Sequence, residues 1–140
     1  MLKVGDGRSP HPEDIQEVSA TLKAQQLLCE ILPADSRRQF LEKGFFDCGG
    51  KLGVYRISRD SQTEVYVHGR LRARACLRLT IPAPSCDRMI AEYLILRNDE
   101  TLYWSKANIE PVQGAINMPV IGLITLNAAL VLKLVTDYLL

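Results

Sequence analysis

The chain has 140 residues, 47% hydrophobic and 24% charged, enough for one domain with a real core and unlike a disordered, collagen-like or low-complexity composition. A net charge of +1 gives no overall pull toward nucleic acid or membrane. The four cysteines are widely spaced with no C-x-x-C pair, which excludes the usual zinc-finger pattern.

Residues 1–12 are rich in Gly, Pro and Ser and read as a flexible N-terminus ahead of a single α+β domain over 13–140. They hold no apolar signal-type stretch, so a reducing, cytoplasmic setting with free thiols is expected. A helix is expected from Glu13 or Asp14 to about Leu32. Ile15, Val18, Leu22, Leu28, Ile31 and Leu32 form its apolar stripe, and acidic residues occupy its first turn. Pro33 ends it. A shorter helix follows over 34–43, with Gly44 as its stop.

The period then changes from helical to alternating. Phe45–Cys48, Val54–Ser58, Glu64–Val67 and Arg70–Thr80 read as four strands, with His68-Gly69 as a two-residue hairpin turn. Short connections make them an antiparallel meander. Within the last strand the sequence alternates: Arg70, Arg72, Arg74 and Arg78 fall on one parity, with Leu71, Ala73, Ala75, Leu77 and Leu79 on the other. Regular alternation puts the apolar set on a core and the arginines on the opposite face. Residues 51–80 carry a net +5 and the rest of the chain −4. Guanidinium groups at that density call for an anion over them, either carboxylates of this chain, an acidic partner or nucleic-acid phosphate.

Pro82 and Pro84 end the sheet. Ser85 is expected to cap a helix over 86–97 that buries Met89, Ile90, Tyr93 and Leu94. Asn98 or Asp99 caps another to about Asn108, carrying Leu102, Tyr103 and Trp104. A loop with Pro111 and Gly114 leads to a long hydrophobic helix over Pro119–Tyr138. Pro111 to Leu132 is 22 residues without a charge, long enough to cross a bilayer. Asn117, Asn127 and Lys133 argue against that, and Gly122, Thr125, Ala129 and Lys133 make a small-polar stripe on one helical face. Burial in the core, an interface with a partner or second copy, and a membrane anchor are the three readings, the anchor being the weakest.

Phe40–Asn108 resembles a family of small bacterial and phage proteins of unassigned activity. The resemblance rests on Gly44-Phe45-Phe46, Gly50, Gly53, Tyr55-Arg56-Ile57, Gly69, Arg74, Cys76-Leu77, Asp87-x-Met89-x-Ala91, Asn98-Asp99-Glu100, Trp104 and Ala107-Asn108. It implies a prokaryotic or viral origin and an α+β fold, and it carries no catalytic residue. The chain departs from the pattern at Arg78-Leu79-Thr80-Ile81-Pro82, where the family would place His-Pro.

Catalytic chemistry finds little support. Cys76, between Arg74 and Arg78, is the best nucleophile by charge. His68 sits about eight residues away on the same strand, roughly 26 Å at about 3.3 Å per residue, too far for a dyad. Glu13-Asp14 and Asp99-Glu100 suit helix starts better than acid–base work. No P-loop, G-x-S-x-G or H-E-x-x-H occurs. Nothing in the spacing of Cys48, Cys76 and Cys86 demands a metal, and no cofactor is expected. The expected architecture is α+β: a four-stranded antiparallel meander, helices packed on one face, and the hydrophobic C-terminal helix. The expected function is a non-catalytic binding or assembly protein. Arg70, Arg72, Arg74, Arg78 and Arg56 would meet an anionic partner, and Gly122, Thr125, Ala129 and Lys133 would serve self- or partner association. A nucleic-acid-binding accessory protein and a structural subunit of a virion or similar assembly are the alternatives.

Overall fold

The computed structural model describes residues 9–112. The helix expected over Pro119–Tyr138, with Gly122, Thr125, Ala129 and Lys133, lies outside the described residues. Two helices come first, α1 (Pro12–Ile31) and α2 (Ala34–Lys43). Four strands follow: β1 (Phe45–Gly49), β2 (Val54–Ser58), β3 (Thr63–Val67) and β4 (Arg70–Cys76). Then come α3 (Ser85–Asn98), α4 (Glu100–Lys106) and a fifth strand, β5 (Asn108–Pro111). The strands form one antiparallel sheet in the order β1-β2-β3-β4-β5.

The α+β meander is as the sequence implies, with one strand more. β5 falls where a helix end and a loop were expected, and it covers the edge of β4. The β3–β4 turn has φ of +50° at His68 and +74° at Gly69. Positive φ at both central residues matches the twist of the flanking strands. Gly44 closes α2 in the left-handed region, φ +77°. Asp99 caps α4, accepting from Leu102 N–H at 3.0 Å. Ser85 is already the first residue of α3, and Pro84 holds the cap position without a side-chain bond.

One sheet face is the core face. Phe46, Tyr55, Ile57, Val65, Ala73 and Ala75 bury there against Met89, Tyr93 and Leu96 of α3 and Tyr103 and Trp104 of α4. Phe46 meets Tyr93, and Tyr55 meets Tyr103, edge to face at 5.8 and 5.7 Å between ring centres. α1 packs on α3, and its buried residues are Ala24 and Leu28, one helical turn apart, with Leu32 buried just past its end. That spacing corrects the expected stripe. Ile15, Val18 and Leu22 are 56–62% exposed, because they lie roughly 100° around the helix from Leu28 at about 3.6 residues per turn. Leu94 and Leu102 are likewise exposed.

Glu92 of α3 is fully buried, 0% exposed. Its carboxylate accepts from Arg88 at 2.6 Å, Thr63 Oγ1 at 2.9 Å, Tyr103 O–H at 3.1 Å and Leu77 N–H at 3.3 Å. Arg88 also donates to the carbonyls of Ser58 and Ser61. β4 ends at Cys76, short of the expected Thr80, where the Leu77 amide turns to Glu92 rather than to a neighbouring strand. Burial raises the Glu92 pKa above the ordinary 4.5, against the opposing pull of Arg88 and the hydrogen bonds.

Folded chains therefore keep the Glu92 proton where unfolded chains have lost it, and stability falls as pH climbs from about 4.5 through the raised folded value. Denaturant unfolding across that window should show a falling free energy in the parent and a flatter one in Glu92→Gln. Arg88→Met should cost about 3 kcal/mol at neutral pH. The loss should shrink as acid protonates Glu92, which then needs no cation.

Candidate functional site

The outer sheet face is built by register. Residues directly opposite on antiparallel strands project to the same side. Asp47 stands opposite Arg56, Arg56 opposite Glu64, Glu64 opposite Arg74, and Arg74 opposite Glu110. One row of alternating charge thus crosses all five strands. Arg56 bonds Asp47 twice, at 2.9 and 3.2 Å, and its guanidinium lies 4.4 Å from the Phe45 ring centre and 5.2 Å from that of Tyr66. Burial opposes ionisation of Asp47, but the Arg56 and Gln39 bonds override it and hold the pKa below 3.8. Val54, Tyr66 and Leu71 form an apolar row beside the charged one.

The expected four-arginine stripe is broken, and the cause is a bulge. Val65 pairs with Ala73 but Tyr66 pairs with Leu71, so Arg72 is an extra residue in β4. The insertion reverses the alternation. Ala73 and Ala75 are buried as expected, but Leu71 shares the outer face with Tyr66, and Arg70 stands opposite core-facing Val67. Arg72 is half-buried, with its carbonyl accepting from Val112 N–H at 3.0 Å. Arg78 is exposed beyond the strand end. Of the five arginines singled out, only Arg56 and Arg74 share the row, and three carboxylates share it with them.

β1 is an edge strand. Its Asp47 N–H points away from β2 and is met by Gln39 Oε1 of α2 at 3.0 Å, while Gln39 Nε2 donates to the Asp47 carboxylate at 3.3 Å. Past that contact a cleft of about 860 Å³ opens between the β1–β2 loop, the start of α2 and the α3–α4 junction. Such a volume admits a small molecule, but the acidic groups lining it are already engaged. Glu100 accepts from Lys51 N–H at 2.7 Å, Leu52 N–H at 3.1 Å and the Tyr55 hydroxyl. Tyr55 in turn accepts from Trp104 Nε1 at 2.7 Å. Gly50 is required here, since a Cβ would lie 2.5 Å from Glu100 Oε1. Asp99 is spent on its cap. Burial and the Glu100 carboxylate push the Cys48 thiol up, and burial does the same to Cys86, the reverse of what a nucleophilic thiolate needs. Burial and the Glu100 bond also push the Tyr55 hydroxyl well up. These groups fasten the α3–α4 junction to the β1–β2 loop and are poorly placed to move protons.

Sequence reasoning missed Glu92 and Glu100. Glu100 stood out only as a helix-start charge, and no local pattern marks Glu92. Among the described residues no group of three or more His, Cys, Asp or Glu is arranged to hold a metal, and no helix is long and apolar enough to cross a membrane. Comparison with protein-family models, curated proteins and solved structures finds no match.

Glu100→Ala should leave two loop amides unsatisfied and Tyr55 without its acceptor, costing about 2 kcal/mol. Urea unfolding should give that loss, together with a change in Trp104 fluorescence, because Trp104 bonds the same hydroxyl.

Proposed function

We propose that this chain is a non-catalytic binding and assembly protein of the bacterial or phage type its middle resembles, working through the outer sheet face on another protein surface. The observation that carries the reading is the charge row Asp47–Arg56–Glu64–Arg74–Glu110 with its apolar neighbours. Alternating charges fix register and reject wrong partners. Tyr66, Phe45 and Val54 supply the apolar contact that protein interfaces use. Phosphate is a poorer fit, because counterion release needs cations, and here Asp47, Glu64 and Glu110 stand among them. In this reading Arg56 and Arg74 are contact residues of the row, and Arg70, Arg72 and Arg78 are not members of it. The segment with Gly122, Thr125, Ala129 and Lys133 serves association, and four free thiols suit a reducing cytoplasm.

The test is titration of the full chain into labelled mixed-sequence DNA and RNA at low and moderate salt, read by fluorescence polarisation. Both nucleic acids should stay free. Binding at low salt that is released as salt rises would overturn the reading and make the arginines a phosphate site.

A further inference from the structure

We infer that the outer sheet face pairs with the same face of a second copy of this chain, about a two-fold axis that runs along the strands between β3 and β4. This rests on the reading that the face binds protein, and it names the partner.

The argument starts from which charges are already matched. Among the described residues four ion pairs lie within 4.0 Å, and they involve Arg38–Asp35, Arg56–Asp47, Arg59–Asp60 and Arg88–Glu92. Asp47 is therefore satisfied at home, by Arg56 and by Gln39. Glu64, Arg74 and Glu110 belong to none of the four pairs, and Arg74 and Glu110 are exposed.

A two-fold axis lying in the plane between two facing sheets reverses the strand order of the partner. An axis through a strand stacks each charge on its own kind. An axis between two strands of an alternating row stacks every charge on its opposite. Placed between β3 and β4, it sets Glu64 on the partner's Arg74 and Arg74 on the partner's Glu64. It also sets Glu110 on the partner's Arg56, whose Nη1 is not used by Asp47. The matched residue, Asp47, is the one left outside the pairing. The same operation lays Tyr66 on the partner's Leu71, so the apolar row meets itself. Facing sheets pack at about 10 Å with strands near alignment, which long side chains such as Arg74 and Glu64 can span. Closed two-fold pairing of one patch is the commonest form of self-assembly.

The experiment is light scattering and sedimentation of the full chain, with Glu64→Arg and Arg74→Glu variants alone and mixed. The parent should run at twice its 15.7 kDa. Each variant alone should dissociate at least tenfold more readily, since each places like charges in contact twice. An equimolar mixture should recover the parent affinity as a heterodimer, because the new arginine at 64 then faces the new glutamate at 74 in one contact and the native Arg74 faces the native Glu64 in the other. Circular dichroism of each variant reports folding, and recovery in the mixture itself requires both to be folded. A monomeric parent, or a dimer indifferent to the single variants or not restored by mixing, overturns the two-fold pairing while leaving a different protein partner in place. Nucleic-acid binding in the polarisation assay instead overturns the underlying reading.

Discussion

The buried Glu92 carboxylate is the constraint on which the rest of the fold depends. It draws together α3, Thr63 at the start of β3, Tyr103 of α4 and the backbone just past β4. Arg88, one turn back on α3, neutralises it and carries the connection on to the carbonyls of Ser58 and Ser61. An ionised carboxylate inside a core costs far more than any one of these bonds returns, so all of them must form together. The position of α3 over the sheet, the length of β4 and the seating of α4 are thereby coupled, and they define which sheet face the helices cover.

Much of the architecture was legible because its signals are local. Gly44, His68-Gly69, Pro33 and Asp99 act through their own backbone or their nearest neighbours, and all four sit where the sequence places them. The meander follows from the short turns. What escaped was long-range. The four-arginine parity is real in the sequence and breaks in space, because one extra residue in β4 reverses it, and nothing local marks Arg72 as that residue. The exposed Ile15, Val18 and Leu22 show a similar limit. They are spaced as a buried stripe, but the face that α1 buries is set by Ala24 and Leu28 against α3. β5 was concealed because four residues from Asn108 to Pro111 alternate too briefly to announce a strand, and its partners lie 32 to 38 residues upstream.

The candidate site was legible only in part. Its arginines are visible in the sequence, but their meaning depends on Asp47, Glu64 and Glu110, which reach the same row from three other strands. A charge surplus counted along the chain, +5 over residues 51–80, becomes near-balance when counted across the sheet. Sequence proximity and spatial proximity run at right angles in a meander, and electrostatics follows space. The cleft beside β1 makes the same point, since its Glu100 stands 49 residues from the loop it holds.

Gln39 carries a consequence of its own. An edge strand offers backbone groups to any other extended chain and is the usual seed of runaway sheet stacking. Gln39 answers the Asp47 amide with a side-chain carbonyl, so a helix supplies what a sixth strand would have supplied. The first edge of the sheet is thereby stoppered at its middle, and growth of an aggregate from β1 is checked without adding a strand. Multiplication of this protein's copies along that edge is disfavoured by one amide side chain.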